Sequence, residues 1–362
     1  MVHLPGMRFS GCPINRAAAH AVRKDPDAIE AIRRTPEARF VMVCAKKVSF
    51  ATAQAMTLKM YSTQEVAALD SNAFAEAIYL GPLAAKAIED TQVFVAKLQG
   101  GEPPASEGTA WLTGRELLGA AAQEDAAIAG LALALTSWHE TAKFDGRSGQ
   151  NTVSVEGGMK RQVEGGSGKL YPRLDPVAIG LIRSADGKRC LLTRARAYPP
   201  GMYTCLSGFV DQCESVEEAF IREAKEEADV DLQDVDVVGS QPWPIGRAGS
   251  CELMIGCTAT AVSDHIKVNV DEIEDARWFS KAEVRRMLEI STGFRKPVEG
   301  DLWCPPPWAI AHHLIASFIN PYNMQTSKAA RRRDGATLMS FGIAVSFGFI
   351  AGFIASRLSS RL

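Results

Sequence analysis

GFVDQCESVEEAFIREAKEEADV occupies Gly208 to Val230 and combines a loop signal with a helix signal. Ser215 and Glu218 form an S-x-x-E capping box, so a helix is expected to begin at Val216. On that helix Glu223, Glu226 and Glu227 share one arc, while Phe220, Ile221, Ala224 and Ala228 form a neighbouring arc suited to packing on a sheet. Carboxylates one turn apart repel, and Glu223 and Glu227 stand in that relation. A solvated acidic face is the ordinary explanation of such a run. A cation between the two glutamates is the sharper one, and a hard divalent ion such as Mg²⁺ or Mn²⁺ takes carboxylate oxygens.

The fixed spacing favours the cation. Gly208, Glu214, Arg222, Glu223, Ala224, Glu226, Glu227 and Val230 fall on the pattern G-x5-E-x7-R-E-U-x-E-E-x-G-U, where U is aliphatic. The stretch therefore resembles the Nudix box. Asp229 stands where that family has glycine, and Cys213 replaces a frequent loop glycine. A glycine held at positive φ is not freely replaced, so altered loop geometry is expected at both.

The rest of the chain extends the resemblance. Trp138-His139, Phe144, Gly149, Thr152, Gly157-Gly158 and the segment Tyr171 to Pro176 resemble the NADH pyrophosphatase branch of the family, as does Ser240-Gln241-Pro242-Trp243-Pro244. Relatives of that branch carry a four-cysteine zinc ribbon after the tryptophan. Here Asp145 and Ser148 occupy the places of the first cysteine pair, and no cysteine lies between 45 and 189. A structural zinc needs four Cys or His ligands, so no zinc is expected. The Ser-Gln-Pro-Trp-Pro match ends at Pro244, and residues 245–252 intervene before Leu253.

The resemblance implies an N-terminal α+β domain (residues 1–138), a degenerate ribbon (139–172) and a Nudix α/β/α sandwich with a mixed sheet (173–319). Within the first domain, strands are expected at Phe40 to Ala45 and Thr91 to Leu98, a helix at Asp27 to Arg34, and a loop over 100–108. In the Nudix part, Val177 to Arg183 and Cys190 to Ala195 read as a hairpin around Asp186-Gly187.

The implied chemistry is hydrolysis of the pyrophosphate bond of NADH or NAD⁺ to NMN(H) and AMP, with NAD-capped RNA as a second substrate. By the resemblance, Mg²⁺ or Mn²⁺ is held by the Ser207 carbonyl, Glu223, Glu227 and Glu272, with Glu274 the alternative to Glu272. Glu226 or Glu227 orients or deprotonates the water, and Gly208, Glu214 and Arg222 shape the box. Phe209, Gln241, Pro242, Trp243, Pro244 and Ala311 are the expected substrate contacts, and a homodimer is the expected assembly. His312 and His313 read as packing residues. Another nucleotide diphosphate, such as ADP-ribose or a coenzyme A derivative, and a non-catalytic nucleotide binder stay open as alternatives.

Composition sets wider bounds. The 362 residues carry a net charge of −2 and are 46% hydrophobic, which gives no general attraction to nucleic acid. Eight cysteines without a C-x-x-C pair read as free thiols. After a polar linker (320–335) containing Arg331 to Arg333, residues 336–356 carry no charge. At about 21 residues this segment is long enough for a transmembrane tail anchor, with the peroxisomal or outer mitochondrial membrane as destination and the hydrolase facing the cytosol. The terminal Ser360-Arg361-Leu362 resembles a peroxisomal matrix address, the competing localisation.

Overall fold

The computed structural model describes residues 6–53, 55–84, 91–293 and 298–320. Its N-terminal part is built on a seven-stranded sheet. The order is Thr57–Leu58, Lys47–Ala51, Ala38–Cys44, Gln92–Lys97 and Ile78–Pro82, with Met60–Tyr61 and Thr109–Thr113 alongside. The strand Ala38–Cys44 is buried on both faces, and its period of two sorts its side chains. Phe40, Met42 and Cys44 pack with Ala19, Ile29, Val66 and Ala73 from short helices on one side. Val41 and Val43 pack with Ala126, Ala129 and Ala132 of the helix Gln123–Thr141 on the other.

A small antiparallel sheet follows, Thr152–Val155, Lys160–Val163 and Lys169–Leu170. At the position of the missing cysteine pair, the Asp145 carboxylate accepts the Ser148 backbone N–H (2.9 Å) and hydroxyl (2.8 Å). Hydrogen bonds close this turn. The glycines of 144–170 leave little chance of long regular elements, and the three strands that form between the turns are short.

The C-terminal part has a six-stranded mixed sheet. Its order is Leu232–Trp243, Glu252–Ala261, Asp175–Arg183, Arg189–Arg194 and Asp275–Ser280, with Leu206–Phe209 beside Asp175–Arg183. Asp175–Arg183 runs parallel to Glu252–Ala261, and the other pairings are antiparallel. The helix Val216–Ala228 covers one face, against Ala178, Ile182 and Leu206. Lys281–Thr292 and Ile310–Ile319 cover the other, against Ile179, Leu181 and Leu192. The sandwich closes tightly: a Cβ on Gly180 would lie 2.1 Å from the Phe220 ring, so the helix seats its aromatic in a notch that only glycine leaves open. Ile221, expected on the packed arc, is 40% exposed, and Ala219 is buried in its stead.

One part of the expected architecture is corrected. Among the described residues no helix is long and apolar enough to cross a membrane. The long helix Gln123–Thr141 carries Glu124 and Asp125 in its first turn, and its apolar face is covered by the N-terminal sheet. The transmembrane helix expected over 336–356 lies outside the described residues, as does Ser360-Arg361-Leu362. Among the described residues the fold is therefore the two packed α/β units and the small sheet, with no membrane-spanning helix, and the membrane and peroxisomal localisations expected from the tail find no support there.

Candidate active site

The box folds as a loop clamped to a helix by one guanidinium. Arg222 donates to both Glu214 oxygens (2.8 and 2.9 Å), to the Phe209 carbonyl (2.8 Å), to Glu223 (2.9 Å) and to Glu226 (2.9 Å). A planar fork meets a carboxylate in this two-point manner, which a lysine ammonium does not reproduce. The Arg222 guanidinium holds the Glu214 carboxyl down at about 2. Arg222 thus acts as a brace between strand, loop and helix. Ser215 and Glu218 make the expected capping box.

Both glycine replacements adopt the backbone that glycine would. Cys213 has φ 64° and Asp229 has φ 53°, ψ 38° at the helix C-cap. Left-handed backbone is costly for residues with a Cβ, so each carries local strain. Asp229 is tied down by Lys225 (2.8 Å) and His265 (3.1 Å); Cys213 is an exposed free thiol.

The carboxylates converge. Oxygens of Glu223, Glu227 and Glu272 lie within 4.8 Å of one another. Gly208 makes this possible, because a Cβ there would sit 1.8 Å from the Glu223 carboxyl carbon. Ser207 precedes it on the strand Leu206–Phe209, paired with Ile179. Glu272 arrives from a separate loop whose Asn269 backbone N–H donates to the Glu227 carbonyl (2.9 Å) and whose Asn269 amide reaches the Glu272 carboxylate (3.3 Å). Glu274 is directed elsewhere, to Arg194 at 3.1 Å. Glu226 also points away from the cluster, towards Arg222, with its side chain 49% exposed.

This cluster is electrostatically unfavourable by itself. Burial, then the charges of Glu223 and Glu272, push the Glu227 carboxyl up to about 8. Burial also raises Glu223, against the opposing pull of Arg222. Three crowded carboxylates, Glu223 and Glu227 partly buried and Glu272 exposed, suit a hard divalent cation, whose charge would reverse both effects.

The expected substrate segment takes a different place. Trp243 meets Phe9 edge-on (5.9 Å between ring centres) and joins the N-terminal core with Ile245. Ile245 presses on Gly114 and Pro244 on Gly130, where a Cβ would come within 2.2 and 2.8 Å respectively. Gln241 is fully buried, donating to the Arg8 and Trp308 carbonyls (2.9 and 2.7 Å) and accepting from the Ile310 N–H (2.7 Å). These residues fasten the two α/β units together; Pro242 between them is exposed. Ala311 is 4% exposed, within the core of the C-terminal unit. His312 and His313 bond to the Pro305 and Pro307 carbonyls (2.8 and 2.7 Å), a packing role.

Of the expected substrate contacts, Phe209 stays at the box, with the Arg247 guanidinium 5.7 Å from its ring centre. Arg247 went unnoticed in the sequence because it belongs to the 245–252 insertion. Its backbone N–H donates to Glu252 (2.9 Å), which is buried inside that loop. Arg247 also draws the Glu227 carboxyl downwards, against the larger upward effect of burial.

Comparison with known proteins agrees with this architecture. Residues 174–298 match the family described as NUDIX domain, and residues 37–138 match the NADH pyrophosphatase-like rudimentary NUDIX domain. The NAD-capped RNA hydrolase NUDT12 of Macaca fascicularis is 41% identical over 205 residues, covering 54% of this chain and 42% of the relative. The mitochondrial NAD(P)H pyrophosphatase NUDT13 of Homo sapiens is 40% identical over 199 residues, covering 54% and 55%. Nudix hydrolase 19, chloroplastic, of Arabidopsis thaliana is 37% identical over 232 residues, covering 55% and 53%. The chain spans about half the length of these curated relatives. With a box whose glycine, arginine and carboxylates all interlock, and a rudimentary domain packed beside it, the chain belongs to the Nudix superfamily, in its NADH pyrophosphatase branch.

Proposed function

We propose that this protein hydrolyses the pyrophosphate bond of NADH and NAD⁺ to NMN(H) and AMP, and that NAD-capped RNA is a second substrate. The observation that carries the proposal is the Glu223, Glu227 and Glu272 cluster, set in a box that keeps its carboxylates and Arg222. The names of the relatives, NAD-capped RNA hydrolase and NAD(P)H pyrophosphatase, support the substrate class. Glu223, Glu227 and Glu272, with the Ser207 carbonyl, would hold Mg²⁺ or Mn²⁺, which supplies neutralisation of pyrophosphate charge and a more acidic attacking water. Water adds to one phosphorus, and the bridging oxygen leaves with the other phosphate. Glu226 or Glu227 would orient or deprotonate that water: Glu227 stands in the cluster, where a bound cation would lower its raised carboxyl again, and Glu226 lies one residue before it, bonded to Arg222. Phe209 and Arg247 form the side of the box where a base and a phosphate fit, by stacking and by charge.

Mass spectrometry of products from a nucleotide panel, with each divalent cation, tests this directly. NMNH plus AMP from NADH, and 5′-monophosphate RNA from NAD-capped RNA, is the expected outcome. Cleavage of ADP-ribose or a coenzyme A derivative with NADH untouched would overturn the substrate class. Binding without turnover under any cation would overturn the enzymatic role.

A further inference from the structure

A hollow of about 1310 Å³ lies between the helix Pro26–Arg33, the end of the helix Gln123–Thr141 and the small antiparallel sheet. None of its lining residues belongs to the box, to the Glu272 loop or to the 240–252 segment. Seven lysines and arginines line it against three glutamates. Two of those glutamates are already paired, Glu156 with Lys160 and Lys169 (2.7 Å each) and Glu140 with Lys97. Arg33 pairs with Glu30. Arg23, Lys24, Lys143 and Arg161 have no carboxylate at ion-pair distance among the described residues.

The guanidiniums on this wall are held by neutral partners or at the edge of an ion pair. The Nε atoms of Arg23 and Arg33 are buried without a hydrogen-bond partner among the described residues. Arg23 gives Nη2 to the Leu80 carbonyl (2.6 Å), and Arg161 bonds the Thr152 carbonyl and hydroxyl and the His139 ring. These partners hold the guanidiniums in place without neutralising them, and the charges of Glu156 on Arg23 and Glu76 on Arg161 act from beyond ion-pair distance. Arg33 is compensated by Glu30 and the Ala75 carbonyl; for Arg23 and Arg161, half-buried cations without an ion pair, a bound anion would offset the cost of burial. Phe144 adds an apolar plate on the wall, 61% exposed.

We propose that this hollow is a second nucleotide site, taking the phosphate among Arg23, Arg33, Lys143 and Arg161 and the base against Phe144. Arginine and lysine recognise phosphate oxygens by charge-assisted hydrogen bonds, and an aromatic plate accepts any base face. The volume exceeds that of an ordinary small-molecule pocket and admits a mononucleotide or dinucleotide whole. Walls of helix and sheet on its sides suit a free nucleotide better than a strand threading through.

The test is calorimetric titration of AMP into the full-length protein in excess chelator. Wild type and Glu227→Gln are expected to bind AMP with equal affinity at this site. The double variant Lys24→Glu, Lys143→Glu, which changes two exposed side chains, is expected to lose at least tenfold in affinity. Phe144→Ala is expected to lose several-fold, and adenosine to bind at least tenfold more weakly than AMP. Thermal melts and NADH hydrolysis at saturating substrate should stay unchanged in the double variant. AMP affinity insensitive to the lysine pair, or lost with Glu227→Gln, overturns the site. Adenosine binding as tightly as AMP overturns the phosphate assignment. A single-stranded oligonucleotide that binds through the same lysines while AMP does not would show a macromolecular ligand, and the proposal would fall.

Discussion

Glu227→Gln should stabilise the cation-free protein above neutral pH, although it removes the residue placed at the centre of the chemistry. In the cation-free fold the Glu227 carboxyl is pushed from 4.5 up to about 8, first by burial and then by Glu223 and Glu272. A group whose folded value is raised binds its proton more tightly in the native state. Its contribution is fully present below the unfolded value and is lost as pH rises through the folded one. The window therefore runs from about 4.5 to about 8. Each unit is worth about 1.4 kcal/mol, which sets a ceiling of roughly 5 kcal/mol. Water and side-chain relaxation near a partly exposed cluster reduce this to roughly 1–3 kcal/mol. At about 2–4 °C per kcal/mol the variant should melt several degrees above wild type at pH 9. Near pH 5 the two should melt within about a degree, since both then carry a neutral group. The assay is a melt series from pH 5 to 9 in chelator, repeated with Mn²⁺. Added cation should raise the melting temperature of wild type and leave Glu227→Gln nearly unmoved, because binding to the folded state alone stabilises it. Parallel pH profiles for the two proteins in chelator would refute the cluster electrostatics. Equal stabilisation of both by Mn²⁺ would refute the cation site.

Other substitutions probe the scaffold. Gly208→Ala places a Cβ within 1.8 Å of the Glu223 carboxyl carbon, so kcat/KM should fall about a hundredfold or more while the melting temperature changes little; wild-type turnover would show that Glu223 need not sit there. Cys213→Gly relieves a positive φ at an exposed position and should stabilise by up to about 1 kcal/mol in denaturant titration; a loss of stability would deny the strain. Trp243→Ala empties the contact with Phe9 and should cost about 3 kcal/mol or more of stability. A large rise in KM for NADH with an unchanged melting temperature would instead return the indole to the substrate pocket.

The box was legible in the sequence because its chemistry is local. Gly208, Glu214, Arg222, Glu223 and Glu227 lie on the end of one strand, the loop after it and one helix, where spacing fixes direction. Glu272 was reachable through the family pattern, yet its choice over Glu274 depends on the Asn269 turn, which no periodicity announces. Trp243 and Gln241 show the limit more sharply. A conspicuous Ser-Gln-Pro-Trp-Pro segment beside a nucleotide-hydrolase box invites a ligand, but its partners are Phe9, Arg8 and Trp308, far away in the chain. Nothing in the segment itself distinguishes an indole that stacks on a base from one that seats a second domain. The same reasoning explains why the cationic hollow left no trace. Arg23 follows one short helix, Arg33 ends another, Lys143 follows a third and Arg161 lies on a strand of the small sheet. Each alone is an ordinary surface cation, and only the docking of the small sheet against the N-terminal unit turns them into a common wall. In this chain, then, the chemistry that one helix can organise is written in sequence, while the chemistry made by the meeting of units has to be read from their packing.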